Sequence, residues 1–227
     1  MGRCCGPWRQ LARPAGSQRL LAAGSPRCAA VPAAGPEARL AATRMWLEDV
    51  VVAGGLCPFA RRVADGPRLR LRASEAADAE ALVAELAAEA AVLVGAQRAG
   101  ELLETTLLVL DGQRPFVAEW LDFVRLSWRL QAEAILGQGF AGDLQLVLFH
   151  PRAVRSAYAQ GPADPADYAL RAPHPTLHLL READVLEAVR SFPGADQIPR
   201  HNQARLRKQG LEACAARLAA CGVPKAG

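Results

Sequence analysis

A chain of 227 residues, 51% apolar and 22% charged, is long enough for one hydrophobic core and has the make-up of a folded protein, not a disordered or collagen-like one. Its charge-free runs, such as Val50 to Ala60, are shorter than the ~20 residues that cross a bilayer and are broken by Gly54, Gly55 and Pro58, so neither a transmembrane helix nor a membrane partner is expected. The net charge of +4 sits at one end: residues 1–44 hold seven Arg, no Lys and one acid (Glu37), leaving 20 bases against 22 acids elsewhere, which removes the usual case for a nucleic-acid partner.

The first stretch alternates Arg with Leu and Ala and lacks a long apolar core, the pattern of a transit peptide and not of a secretory signal. Residues 1–44 are therefore expected to be a cleaved presequence addressing the mitochondrial matrix, with a plastid as runner-up, weakened by the scarcity of Ser. A cytoplasmic protein follows if the stretch is only an extension. The expected domains are this segment, one α/β domain over 45–210, and a helix end and tail over 211–227. Of six Cys, three lie beyond the presequence (Cys57, Cys214, Cys221), a scattered odd set that argues against a disulfide framework.

In chain order, Thr43 is expected to cap a helix carrying Trp46, Leu47, Val50 and Val51, ended by Gly54-Gly55, after which Pro58 restarts a short turn. Arg68 to Ala73 alternates Arg with Leu and predicts a strand with one dry and one wet face, its Arg face a candidate edge. Ser74 to Val94, rich in Ala, Leu and Glu, predicts an amphipathic helix with a Ser cap. Glu104 to Asp111 and Leu144 to His150 read as strands, and Pro115 to Leu136 between them as a helix whose aromatics face the core. Two βαβ crossovers of this length predict a small, largely parallel sheet of three to four strands flanked by helices, with a helical C-terminus. The chain reads as loop from His150 through Arg171; Asp184 and Glu187 then suggest a capping box for a helix to Phe192, and a last helix runs from about Pro199 towards Cys221.

Several segments taken together resemble a known family. They are Thr43 and Trp46 leading into LCPFA (Leu56 to Ala60), ETTLLV (Glu104 to Val109), FHP (Phe149 to Pro151), RAPHPTLHLLRE (Arg171 to Glu182) and IPRHN (Ile198 to Asn202). In this order, and over Thr43 to Gly210, roughly three quarters of the chain, they resemble the proteins grouped as domain of unknown function 1415. The resemblance implies the domain and no activity. The departures fall in Arg152 to Tyr158 and Asp167 to Pro175, where family members usually carry Asp-Tyr-x-Phe and an Asn-Tyr-Thr-Asn-Arg stretch before Pro-Tyr-Pro.

Cys57, before Pro58 and near Arg61 and Arg62, is the candidate nucleophile or redox thiol; the alternative is a small buried apolar residue closing the first helix against the sheet. His150 ends the third strand, and His150 or His178 is the candidate base, although a strand-end imidazole can equally well bond a loop carbonyl. His174 and His178 would share a metal only on a helix; in a strand they lie ~13 Å apart, and Pro173 and Pro175 favour the extended form, so no metal is assigned. Arg171, Arg181, Glu182, Arg200 and Asn202 complete a candidate pocket for a small anionic molecule, because guanidinium forks bind carboxylate or phosphate bidentately. Without a Walker loop, G-x-G-x-x-G, G-x-S-x-G or HExxH, no cofactor is predicted. Two functions compete: a small-molecule enzyme or sensor using this Cys/His/Arg set at the carboxyl edge of the sheet, and a non-catalytic binding or assembly module in which the same residues hold loops.

Overall fold

The computed structural model describes residues 34–64, 66–155 and 163–222; the greater part of the expected presequence lies outside the described residues. Helix α1 spans Pro36–Met45, with Pro36 in the first turn, where no amide donor is needed. Thr43 does not cap it. Its hydroxyl lies a turn inside, donating to the Arg39 carbonyl at 2.9 Å. This helix crosses the boundary drawn at residue 44 and buries Arg39, Ala42 and Thr43, so the folded unit includes residues that composition assigned to the leader.

A π-helical segment, Trp46–Val52, continues α1 and presents Trp46, Leu47 and Val50 inward. It ends at Gly54-Gly55: a Cβ on Gly54 would meet the Val50 carbonyl oxygen at 2.0 Å, and Gly55 has φ +63. Short helix α2 (Ala60–Ala64) and strand β1 (Leu69–Ala73) follow. Helix α3 (Ala79–Arg98) is capped by Asp78, which accepts from the Ala81 amide at 2.8 Å, and not by Ser74, whose hydroxyl accepts from the Ala76 amide and donates to Glu85.

Strand β2 (Thr105–Val109) is buried throughout. The single helix expected over 115–136 is broken at Glu119, whose extended backbone separates α4 (Pro115–Ala118) from α5 (Trp120–Leu130); a π-helical segment, Gln131–Leu136, prolongs α5. After β3 (Leu144–Phe149) and a 3-10 turn at Pro165–Ala169, β4 (Thr176–Arg181) passes directly into α6 (Glu182–Ser191). The expected capping box there does not form, since Asp184 takes the Arg181 Nε at 2.5 Å instead. The last helix is two, α7 (Ile198–Gln209) and α8 (Leu211–Ala220), divided at Gly210 with φ +87.

The four strands form one mixed sheet in the order β1-β2-β4-β3, and the expectation of a largely parallel sheet needs correcting. Only β1 and β2 pair parallel; β4 is antiparallel to β2 and to β3. The two crossovers do leave β1, β2 and β3 running the same way. However, β3 stands one place away from β2, and the long connection after it lets the chain double back and fill the gap.

Register assigns the faces. Arg70 and Arg72 of β1, Thr106 and Leu108 of β2, Leu177 and Leu179 of β4, and Leu144, Leu146 and Leu148 of β3 share the side covered by α3 and α5, against Leu82, Leu86, Leu93, Phe123 and Leu130. Leu69, Leu71, Leu107 and Phe149 pack on the other side against Trp46, Leu47 and Val50. β1 is an edge strand as expected, and its Arg face, with Arg70 half-buried and Arg72 exposed, is tied down to α3. Arg70 Nε donates to Glu89 Oε2 at 2.7 Å, Arg72 lies 3.6 Å from its other oxygen, and Glu89 is buried on α3.

Candidate functional site

Strands β1, β2 and β3 end at one edge of the sheet, continuing into Ser74, Asp111 and His150, and β4 begins there just after His174. Helix α1 lays Arg39 across this edge. Its guanidinium is buried, donates from Nη2 to the Ser74 carbonyl at 3.0 Å and from Nη1 to the Ala34 carbonyl at 3.5 Å, and approaches Asp111 Oδ2 only to 4.0 Å. Arg114 Nε lies 3.5 Å from the same oxygen. Two guanidinium groups therefore flank one carboxylate without a close bond from either, and the Nε of both is buried without a hydrogen-bond acceptor among the described residues.

His174 is buried beside them. Desolvation first and the Arg39 charge second push its pKa down to about 4, against the opposing pull of Asp111. Solvent reaches the group past Arg114 and Asp111, whose side chains are 42% and 27% exposed. Such a site, two cationic forks and a neutral imidazole at strand ends, offers unused donors to an anion. Arg39, Asp111 and Arg114 were missed in the sequence because Arg39 was counted with the leader. The signal that points to this edge, the carboxyl ends of the strands, was legible.

The eight residues singled out by sequence do not meet in one cleft. His150 lies on the α5 side of the sheet, its ring 5.8 Å from that of Phe123 and 5.9 Å from that of Trp120. Its Nε2 donates to the Val117 carbonyl at 3.0 Å and its Nδ1 accepts the Arg152 amide at 3.0 Å, so both nitrogens of a neutral ring are occupied. Burial pushes its pKa down to about 4, against the upward pull of the Val117 carbonyl.

His178 lies on the opposite face, beside Phe149, its pKa also lowered to about 4 by desolvation. Thr105 spends its single hydroxyl proton on the Leu179 carbonyl at 2.7 Å and so accepts from His178 Nε2 at 2.6 Å, leaving Nδ1 as the acceptor. Cys57, half-buried, packs against the cluster on this same face. Arg62 does not attend it, because it forks onto Glu104 at 2.9 and 2.5 Å, where Arg68 also binds.

The proposed clamp residues have other tasks. Arg171 donates to the Ala153 carbonyl at 3.1 Å and stacks 4.5 Å over the Tyr168 ring, while its own carbonyl accepts from the Trp46 indole at 2.9 Å. Arg181 pairs with Asp184, and Glu182 opens α6 with its amide on the Asp143 carbonyl at 2.8 Å. Arg200 is exposed on α7. Asn202 donates to the Leu56 carbonyl at 2.6 Å, and Arg205, not anticipated from sequence, binds the carbonyls of Gly54 and Gly55, each at 2.7 Å, so that α7 fixes the loop leading to Cys57.

His174 and His178 fall at the end and on one face of the sheet respectively, and no group of three or more His, Cys, Asp or Glu side chains among the described residues is placed to hold a metal ion. No described helix is long and apolar enough to cross a membrane. A family model described as protein of unknown function (DUF1415) matches residues 38–216, a span that opens one residue before Arg39. No curated protein and no solved structure matches the chain.

Proposed function

The chain belongs to the DUF1415 family of proteins of unknown function, whose description names no reaction, and from that premise we propose that it is a binding module for a small anionic molecule, seated at the strand carboxyl ends between Arg39, Arg114 and His174. The ligand class is the one the sequence suggested; the residues are different. The observation that carries this reading is that Arg39 and Arg114, whose Nη1 and Nε stand 4.0 and 3.5 Å from Asp111 Oδ2, each keep a buried Nε without a hydrogen bond among the described residues, and a buried donor left without one costs about 1–3 kcal/mol. In this reading His150, Arg171, Arg181 and Asn202 hold loops and helix ends, as their hydrogen bonds support.

A thermal-shift series with inorganic phosphate, malonate and citrate tests it: an anion that binds only the folded state raises Tm as its concentration rises. A Tm that stays flat with all three removes the proposal.

A second reading keeps a thiol chemistry at Cys57. It is favoured by one observation, that Cys57 is half-buried on the same face as His178, at the end of a loop held by Asn202 and Arg205. Alkylation of Cys57 in wild-type and His178→Ala protein separates the two readings. Equal rates across pH leave Cys57 a packing residue, and a several-fold loss in the variant supports an imidazole-assisted thiol. The Arg-rich, acid-poor segment before Pro36 supports import into the mitochondrial matrix as the protein's destination.

A further inference from the structure

The turn after β2 is fastened to the start of β4. Leu110 donates its amide to the Pro175 carbonyl at 2.8 Å, and Gly112 lies so near Pro175 that a Cβ would meet its Cδ at 3.2 Å. Within the turn the Arg114 amide donates to the Asp111 carbonyl at 3.0 Å, and the Gln113 amide donates to Asp111 Oδ1, also at 3.0 Å. Such an Asx turn uses one carboxylate oxygen and thereby fixes the direction of the other. Asp111 and Arg114 are thus presented side by side, next to the buried His174 that precedes Pro175.

The second oxygen, Asp111 Oδ2, accepts no hydrogen bond among the described residues. Its neighbours are Arg114 Nε at 3.5 Å and Arg39 Nη1 at 4.0 Å. Arg39 is buried and held by the carbonyls of Ser74 and Ala34, so it acts as a fixed charge beneath the site. Arg114 is 42% exposed, and its outer nitrogens make no hydrogen bond among the described residues. His174 is neutral at pH 7, since desolvation and the Arg39 charge hold its pKa at about 4. Two guanidinium groups against one carboxylate leave one positive charge over.

That carboxylate selects among anions. A bare oxyanion drawn to the guanidinium groups also comes close to Oδ2, and the like charges oppose its binding. A ligand that carries an ammonium group next to its anionic group turns the same oxygen into a partner.

We infer, on the basis of the anion site between Arg39, Arg114 and His174, that its ligand is an amino acid, with the carboxylate on Arg114 above Arg39 and the ammonium group on Asp111 Oδ2. One carbon separates the two groups of an α-amino acid, which puts the nitrogen about 3 Å from the nearer oxygen. Arg114 Nε and Asp111 Oδ2 stand 3.5 Å apart, so the two pairs of opposite charges can meet face to face. The positive charge left over favours an acidic side chain on the ligand.

Calorimetric titration of L-glutamate, and of glutarate as the same molecule without its amine, into the full chain and its Asp111→Asn variant tests this. Asn keeps the oxygen that receives the Gln113 amide, so the turn is retained and only the charge is removed. The wild type is expected to bind glutamate about tenfold more tightly than glutarate, and the variant to lose that preference by binding glutamate more weakly and glutarate more tightly. Glutarate bound as tightly as glutamate by the wild type overturns the inference and leaves the anion site standing, and a preference for glutamate that survives in Asp111→Asn overturns it too. A wild type that binds neither of them nor inorganic phosphate removes the anion site and the inference together.

Discussion

Asn202 donates from Nδ2 to the carbonyl of Leu56 at 2.6 Å, joining helix α7 to a loop 146 residues earlier in the chain. Beside it, Arg205 holds the next two carbonyls upstream and the Asn202 Oδ1, so one turn of α7 satisfies three backbone acceptors at the end of the first helix. Removing Asn202 strands a half-buried carbonyl. Asn202→Ala is expected to cost about 1–3 kcal/mol in urea unfolding. Combined with Arg205→Ala the losses should be non-additive, because both side chains serve one loop.

Glu89 makes a comparable prediction on the other side of the sheet. It is buried on α3 and receives both Arg70 and Arg72 from the edge strand. Glu89→Ala should lower stability by about 1–3 kcal/mol, less than for a fully enclosed pair because both guanidinium groups can turn to solvent. Glu89→Leu should recover part of the loss by filling the space, and chemical denaturation of the three proteins checks the order.

The buried imidazoles set the acid limit of stability. His150 and His174 have folded pKa values of about 4 against an ordinary 6.5, because burial disfavours their charged forms. Above pH 6.5 both states are neutral and the two residues contribute no pH dependence. As pH falls from 6.5 towards 4 the unfolded chain takes up protons that the folded chain does not, so stability falls with pH across that window. At about 1.4 kcal/mol per pKa unit such shifts amount to a loss of several kcal/mol, and His178, shifted the same way by burial, adds to it. Denaturation midpoints measured from pH 7 to pH 4 should drop, and His150→Gln should flatten part of the slope.

Processing of the N-terminus is tied to the same fold. Arg39 is buried across the ends of the strands, so a cut between Arg39 and Met45, where composition alone places it, would remove the helix that carries the site. Cleavage is expected upstream of Pro36. If the proposed import takes place, N-terminal sequencing of the matured protein checks this, and a mature chain beginning after Arg39 is incompatible with the anion site.

The strands and the long helix were legible because their cues are local: alternation in Arg68 to Ala73, the Ala- and Leu-rich run before Val94, the short apolar runs at Glu104 and Leu144. Strand order was not, since nothing in the spacing tells whether β4 joins the edge or inserts between β2 and β3. Helix starts were misplaced wherever two polar residues competed to cap: Ser74 bonds Glu85 while Asp78 caps, and Asp184 takes Arg181. For the site, the chemistry of the ligand and the edge of the sheet were readable, but the side chains were chosen by type. Pairing of His150 with His178 failed on the period of two in a strand: His178 stands opposite Val147 and shares its face, while His150 continues the face of Leu146 and Leu148.

Calorimetric titration of inorganic phosphate into wild-type protein, Arg39→Gln and His174→Gln tests the central claim most directly. The account predicts measurable binding by the wild type, its loss in Arg39→Gln, and a weaker but saturable isotherm in His174→Gln. Equal binding by all three proteins, or none by the wild type while citrate and malonate are equally silent, would contradict it.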